Sequence, residues 1–260
     1  MADTGVRVRP CVVIPTYNNP ATIAEVVARV RAFLPDVIVV DDGSDAPGRD
    51  AVAQLAQAGL VHAVHRAQNG GKGAAVKTGF ATAAELGFTH VLQVDADGQH
   101  HLEDIPNFLD AALDHPNHLI LGAPIYDETA PTSRLVGRKI TLFWTHIETH
   151  GRVIHDPMCG FRVYPVAAVR QLGRLGERMD FDIEIAVRLV WLGVPVVNLP
   201  TKVRYLDSDE GGVSHFDMLW DNLRISWLHT RLATFAVLIY PWLRLARALG
   251  LVRRPAVTSS

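Results

Sequence analysis

The chain has 260 residues, long for one average domain but within reach of a single large α/β unit. With 48% hydrophobic and 20% charged residues it can bury a sizeable core, which excludes a disordered chain. A formal net charge of -2, with no concentrated basic stripe, argues against a nucleic-acid binder. Arg7 and Arg9 precede only a short apolar run that Pro15 closes, which does not make a secretory signal. That run, Val12 to Ile14, reads as a first buried strand with Cys11 in the core. Val37 to Val40, Val61 to Val64 and Val91 to Val94 read as three more strands. Helix-like stretches lie between them: Thr22 to Phe33, Gly48 to Ala58 and Gly73 to Leu86. This alternation predicts crossover connections and a mostly parallel sheet covered by helices on both faces. The second half is less regular. Leu119 to Gly122 and Val194 to Leu199 are strand-like, and Arg138 to His150 and Phe181 to Leu192 are helix-like. Ala123 to Ser133, which holds Pro124 and Pro131, reads as a mobile loop, and Thr201 to Ser214 as a polar one. From Phe216 onward the pattern is helical again. Two distant cysteines, Cys11 and Cys159, make no disulfide framework and fit a reducing compartment.

Ligands of such sheets bind at the carboxyl ends of the strands. Each of the first four strands is followed by polar, turn-forming residues: Pro15-Thr16-Tyr17-Asn18-Asn19, Asp41-Asp42-Gly43-Ser44, Asn69-Gly70-Gly71-Lys72-Gly73 and Asp95-Ala96-Asp97-Gly98-Gln99. Asp95 and Asp97 can grip one hard cation such as Mg²⁺, which takes a few carboxylates and shares its other sites with water or phosphate oxygens. Gln99 can add a neutral oxygen. The bland alternative is a turn that caps a helix at Leu102. Asp41 and Asp42 can accept from a base N–H or a ribose hydroxyl, or can simply build an Asx turn. Tyr17 can stack on a base or sit half-buried. Lys72 can approach a phosphate through its glycine-rich loop, whose spacing is not that of a Walker loop.

These four motifs in this order resemble family 2 glycosyltransferases, over roughly the first two-thirds of the chain. The resemblance implies a GT-A (nucleotide-diphospho-sugar transferase) fold: a mostly parallel central sheet flanked by helices, here with a C-terminal helical extension. It implies that Pro15, Tyr17, Asn19, Asp41 and Asp42 hold the nucleoside, with Asn19 standing where the family usually has an acidic residue. Lys72 would lie near the nucleotide, and Asp95, Asp97 and Gln99 would form the site for Mg²⁺ or Mn²⁺ and the diphosphate. Asp156-Pro157-Met158-Cys159-Gly160-Phe161-Arg162 is similar to a segment of the polyprenyl-phosphate sugar synthases, with Met158-Cys159 in place of a small hydroxyl pair. Arg134 and Arg138 fall where those enzymes carry basic residues for the acceptor phosphate. The implied reaction is inverting transfer from a nucleoside-diphosphate sugar.

A phosphate acceptor is already an anion and needs no general base, so Arg134, Arg138 and Arg162 would position it. A hydroxyl acceptor on a glycan or lipid needs one, for which Asp156, Asp182 and Asp180 are candidates. Asp180 also suits the N-cap of the following helix. His100 and His101 are poor ligands for a hard cation, and His155 stays open. The C-terminal stretch mixes Trp220, Trp227, Tyr240 and Trp242 with leucines and arginines. It fits either an interfacial helix at the inner face of the cytoplasmic membrane or helices packed on the catalytic domain. No segment reaches the ~18 uninterrupted apolar residues of a membrane span. The expected division is a catalytic domain over 1–215 and a helical extension over 216–260. A sugar-1-phosphate nucleotidylyltransferase would need a glycine-rich loop where Pro15-Thr16-Tyr17 stands. A non-catalytic nucleotide-binding protein would not need Asp95, Asp97 and Lys72 intact.

Overall fold

The computed structural model of the protein describes residues 7–126, 132–203 and 219–251. The first four strands are β1 (Pro10–Thr16), β2 (Val37–Asp41), β3 (His62–His65) and β4 (His90–Gln93). β1, β2 and β4 are buried almost throughout, as expected of parallel strands covered on both faces, whereas β3 lies at the sheet edge and is half-exposed. The crossovers are α1 (Ile23–Arg31), α2 (Ala46–Gln57) and α3 (Lys72–Glu85). α1 buries Ile23, Val26, Val27 and Val30, one stripe at helical period. α2 begins at Asp45, whose carboxylate accepts from the Gly48 N–H at 3.1 Å. α3 lies so close to β1 that a Cβ on Gly79 would sit 2.3 Å from Val13 Cγ1.

The chain continues through α4 (Ile105–Asp114), β5 (Leu119–Tyr126), α5 (Thr132–Glu148), β6 (Arg162–Pro165), α6 (Val166–Val169), α7 (Phe181–Leu192), β7 (Val196–Val203), α8 (Trp220–Leu238) and α9 (Tyr240–Ala248). The sheet order is β3-β2-β1-β4-β6-β5-β7, and β6 alone among these strands runs antiparallel to its neighbours. The carboxyl ends of the other strands therefore share one edge with the amino end of β6. That reversal brings the Asp156–Phe161 segment to the same rim as the first four strand ends. Apolar cores on the two faces of the sheet hold it rigid. Each fully buried valine, leucine or isoleucine contributes roughly 1.5–3 kcal/mol.

Several expectations need correction. The loop read over Ala123 to Ser133 begins as strand, because β5 pairs with β7 as far as Tyr126, and Thr132 already opens α5. Residues 127–131 lie outside the described residues. β7 likewise runs on to Val203, tolerating Pro200 because it is an edge strand. The rest of that polar loop, and the expected domain boundary at 215, lie outside the described residues. β6 and α4 were not legible: β6 is four residues that include an arginine and a proline, and only pairing with β4 and β5 makes it a strand. The C-terminal helix α8 packs Ile225, Leu228 and Leu232 on Ile183 and Val187 of α7. Both cysteines are buried free thiols.

Candidate active site

The four strand-end loops meet at one cleft of about 1030 Å³. Pro15, Tyr17, Asn19, Asp42, Lys72, Asp95, Asp97, Gln99 and Arg138, all expected from the sequence, line it. The loops are laced together by short-range chemistry. Asn18, with φ of +53°, donates its N–H to Ser44 Oγ at 2.9 Å and accepts from the Asp45 N–H at 2.9 Å. Thr22 Oγ1 donates to the Ala96 carbonyl at 2.7 Å. Gly43, at φ of +73°, lets the second loop lie against the third, because a Cβ there would sit 2.7 Å from the Asn69 nitrogen.

Asp42 is 2% exposed and accepts from the Gly71 N–H at 2.7 Å, the Gly70 N–H at 3.1 Å and Arg66. It therefore shapes the glycine-rich loop from the floor of the cleft. Asp41 departs from expectation. It lies behind the rim, where its carboxylate accepts from the Ser44 N–H and pairs with His65 Nδ1, both at 2.9 Å. Burial would push its carboxyl up, but the Ser44 and His65 bonds outweigh that and hold it below the usual range. Asn19 lines the cleft, with Oδ1 turned to the Tyr17 N–H at 3.4 Å.

Asp95 and Asp97 stand at the centre. Burial disfavours the Asp95 carboxylate, yet Lys72, with Nζ 2.8 Å away, and His100, at 3.4 Å, hold its carboxyl far below the usual range. Asp97 is pushed the other way, first by burial and then by the Asp95 charge. Its Oδ1 accepts from the Gln99 N–H at 3.0 Å. A cation between the two would relieve that crowding. Gly160 forms the cradle's far wall, where a Cβ would lie 2.3 Å from Asp95 Oδ2. No group of three or more His, Cys, Asp or Glu side chains among the described residues is arranged to hold a metal. Two hard carboxylates nonetheless fit Mg²⁺ or Mn²⁺, which leave most of their coordination sphere to phosphate and water. His100 stacks on Phe161 with ring centroids 5.3 Å apart. His101 pairs with Glu103 and Asp104, and His155 is exposed and does not line the cleft.

The acceptor-side expectations fare unevenly. Arg138 lines the cleft and pairs with Asp156 at 2.5 Å. Asp156 also accepts from the Met158 and Cys159 N–H groups at 2.7 and 2.8 Å, so it builds the turn under Gly160. Arg162 is fully buried and donates to the backbone carbonyls of Cys159, Pro157 and Asp182, the last two at 2.6 Å. It is a staple beneath the site and does not line the cleft, because the β4–β6 register sets it beside Gln93 inside the sheet. Asp182 is also off the cleft, 2.8 Å from Lys72 Nζ. The side chain of Arg134 lies outside the described residues. Two arginines not expected from the sequence line the cleft instead: Arg178, which donates to Asn69 Oδ1 at 3.2 Å, and Arg224 of α8, which pairs with Asp221 at 3.0 Å. Only the packing of α8 brings Arg224 there; His65 and Arg66 were findable as the residues at the end of β3.

Among solved structures, the fold is similar to glucosyl-3-phosphoglycerate synthase from Mycobacterium tuberculosis in complex with Mn²⁺, uridine diphosphate and phosphoglyceric acid. The TM-score is 0.65 at 17% identity, over 88% of this chain and 80% of that one. The fold is of the GT-A class. A sequence model of glycosyl transferase family 2 matches residues 11–173. The polyprenol monophosphomannose synthase of Mycolicibacterium smegmatis is 32% identical, over 74% of this chain and 76% of that protein. The undecaprenyl-phosphate mannosyltransferase of Micrococcus luteus is 29% identical, over 74% and 82%. The chain belongs to glycosyl transferase family 2 and is a glycosyltransferase with polyprenyl-phosphate sugar synthases among its relatives.

Proposed function

We propose that this enzyme is a metal-dependent, inverting glycosyltransferase that moves a sugar from a nucleoside diphosphate to a lipid phosphate of the polyprenyl type. The observation that carries this reading is one cleft lined both by the Asp95–Asp97 pair and by Arg138 of α5, Arg224 of α8 and Arg178 of the loop before α7. Asp95, Asp97 and the Gln99 carboxamide would hold Mg²⁺ or Mn²⁺. When bound, the ion supplies neutralisation of the charge that gathers on the departing diphosphate. Pro15, Tyr17, Asn19 and Asp42 line the part of the cleft that suits the nucleoside, with Asp41 supporting their loop from behind. The arginines orient an anionic acceptor toward the sugar carbon on the face opposite the leaving group. Asp156 and Asp182 are each engaged by a cation, Arg138 and Lys72, which agrees with an acceptor that needs no base.

Lipid chemistry fits the cleft mouth, where exposed Val136, Ile140 and Trp220 continue the lining outward. The proposed location is peripheral, at the inner face of the cytoplasmic membrane, and no helix among the described residues is long and apolar enough to cross a membrane. One observation favours a second reading with a hydroxyl acceptor. Asp180 Oδ1 is buried without a hydrogen-bond partner and burial pushes its carboxyl up, as a general base requires, although Asp180 stands at the start of α7 next to the cleft-lining Met179 and does not itself line the cleft. The deciding experiment offers labelled UDP- and GDP-sugars with Mn²⁺ to both polyprenyl phosphate and polyprenol. Sugar on the phosphate alone is the expected result; sugar on the alcohol supports Asp180 as base.

A further inference from the structure

Lys72 is the first residue of α3, where a positive charge faces the positive end of the helix dipole. Its side chain is only 15% exposed, a second penalty for an ammonium. Two carboxylates outweigh both: Nζ lies 2.8 Å from Asp95 and 2.8 Å from Asp182. Asp182 is itself anchored, because Gln93 Nε2 donates to it at 3.2 Å and Tyr164 donates to Gln93 at 3.3 Å. Asp95 is thus flanked by Lys72 on one side and by Asp97 on the other, and Lys72 also lines the cleft.

We propose that Lys72 is a positioning residue that competes with the divalent cation for Asp95, and so couples binding of the cation to binding of the nucleoside diphosphate. A unit charge a few ångströms from a dication is strongly repelled at protein dielectric. Lys72 therefore yields Asp95 to the cation only by moving its charge onto Asp182 and the cleft, where diphosphate oxygens pair with it. Cation and nucleotide then raise each other's affinity by the same factor. This inference rests on the reading of Asp95 and Asp97 as metal ligands.

The test is titration of the full chain with Mn²⁺ alone and with UDP or GDP, read from the paramagnetic resonance signal of aqueous Mn²⁺. Wild-type enzyme should bind Mn²⁺ weakly alone and far more tightly with the matching nucleotide. Lys72→Met should bind Mn²⁺ alone about tenfold tighter or more, the scale of one removed charge, and lose a similar factor of nucleotide enhancement. Lys72→Arg, which keeps the charge, should behave as wild type. Lys72→Gln keeps a donor for Asp182 and carries the same expectation should Lys72→Met fail to fold. Folded neutral variants that bind Mn²⁺ alone no better than wild type overturn the role of Lys72. Mn²⁺ binding that survives Asp97→Ala overturns instead the metal-ligand reading beneath it.

Discussion

At the scale of the residue, the site works by close approach. Gly160 lets the backbone of the Asp156–Phe161 segment pass against Asp95, with room for nothing larger than hydrogen. Gly160→Ala should displace that carboxylate by a fraction of an ångström to an ångström and slow transfer by up to about 10²-fold, as such misplacements do. Melting measurements should show the variant still folded. Two of the three arginines expected to position the acceptor separate by the same logic. Arg138→Ala should raise the acceptor KM with donor affinity little changed, because Arg138 lines the cleft. Arg162→Ala should act on stability, by about 3 kcal/mol or more, because a buried guanidinium that bridges three carbonyls leaves them unsatisfied when removed. A normal melting temperature with a raised acceptor KM in Arg162→Ala would return that residue to the cleft.

At the scale of the element, α5 and α8 meet through a buried polar pair. His229 Nδ1 lies 2.7 Å from Glu148 Oε1, and Glu148 is fully buried. Glu148 Oε2 and His229 Nε2 are buried without hydrogen-bond partners. Trp191 Nε1 donates to the Glu148 carbonyl at 2.7 Å, which ties α7 to the same junction. Burial raises the Glu148 carboxyl above the ordinary 4.5, so the folded protein holds that proton more tightly than the unfolded chain. The stability this proton contributes is complete below 4.5 and is lost as pH rises through the folded value. Glu148→Gln should therefore melt less pH-dependently than wild type as pH rises above 4.5. His229→Leu, which strips Glu148 of its partner, should cost about 1–3 kcal/mol. Since α5 carries Arg138 and α8 carries Arg224, loosening this junction should also raise the acceptor KM.

At the scale of the whole molecule, the apolar surface is concentrated. Of the 20 exposed large hydrophobic side chains among the described residues, four lie on α5 and eleven between Leu219 and Leu251. These elements also carry Arg231 and Arg247, which reach back to Glu184 and the Trp191 carbonyl, and Arg244, exposed among the leucines and tryptophans, a mixture that suits an anionic bilayer surface. The expected outcome is co-sedimentation with phosphatidylglycerol vesicles, reduced in Trp227→Asp/Trp242→Asp while turnover of a short-chain, detergent-soluble acceptor is retained. The chain's own order of residues sufficed for the alternating strands and helices of the first half and for the four polar loops that end the strands. Those are local signals: apolar period, turn chemistry and the pairing of two acids one residue apart. Asp41, Arg162 and Asp182 look no less functional in sequence, yet tertiary structure sets them behind the cleft, because burial and hydrogen-bond partners depend on strands and helices distant in the chain. The reversed strand β6, the staple under Gly160 and the arrival of Arg178 and Arg224 belong to the same class. They follow from sheet register and helix packing, which bring together residues that no local pattern connects.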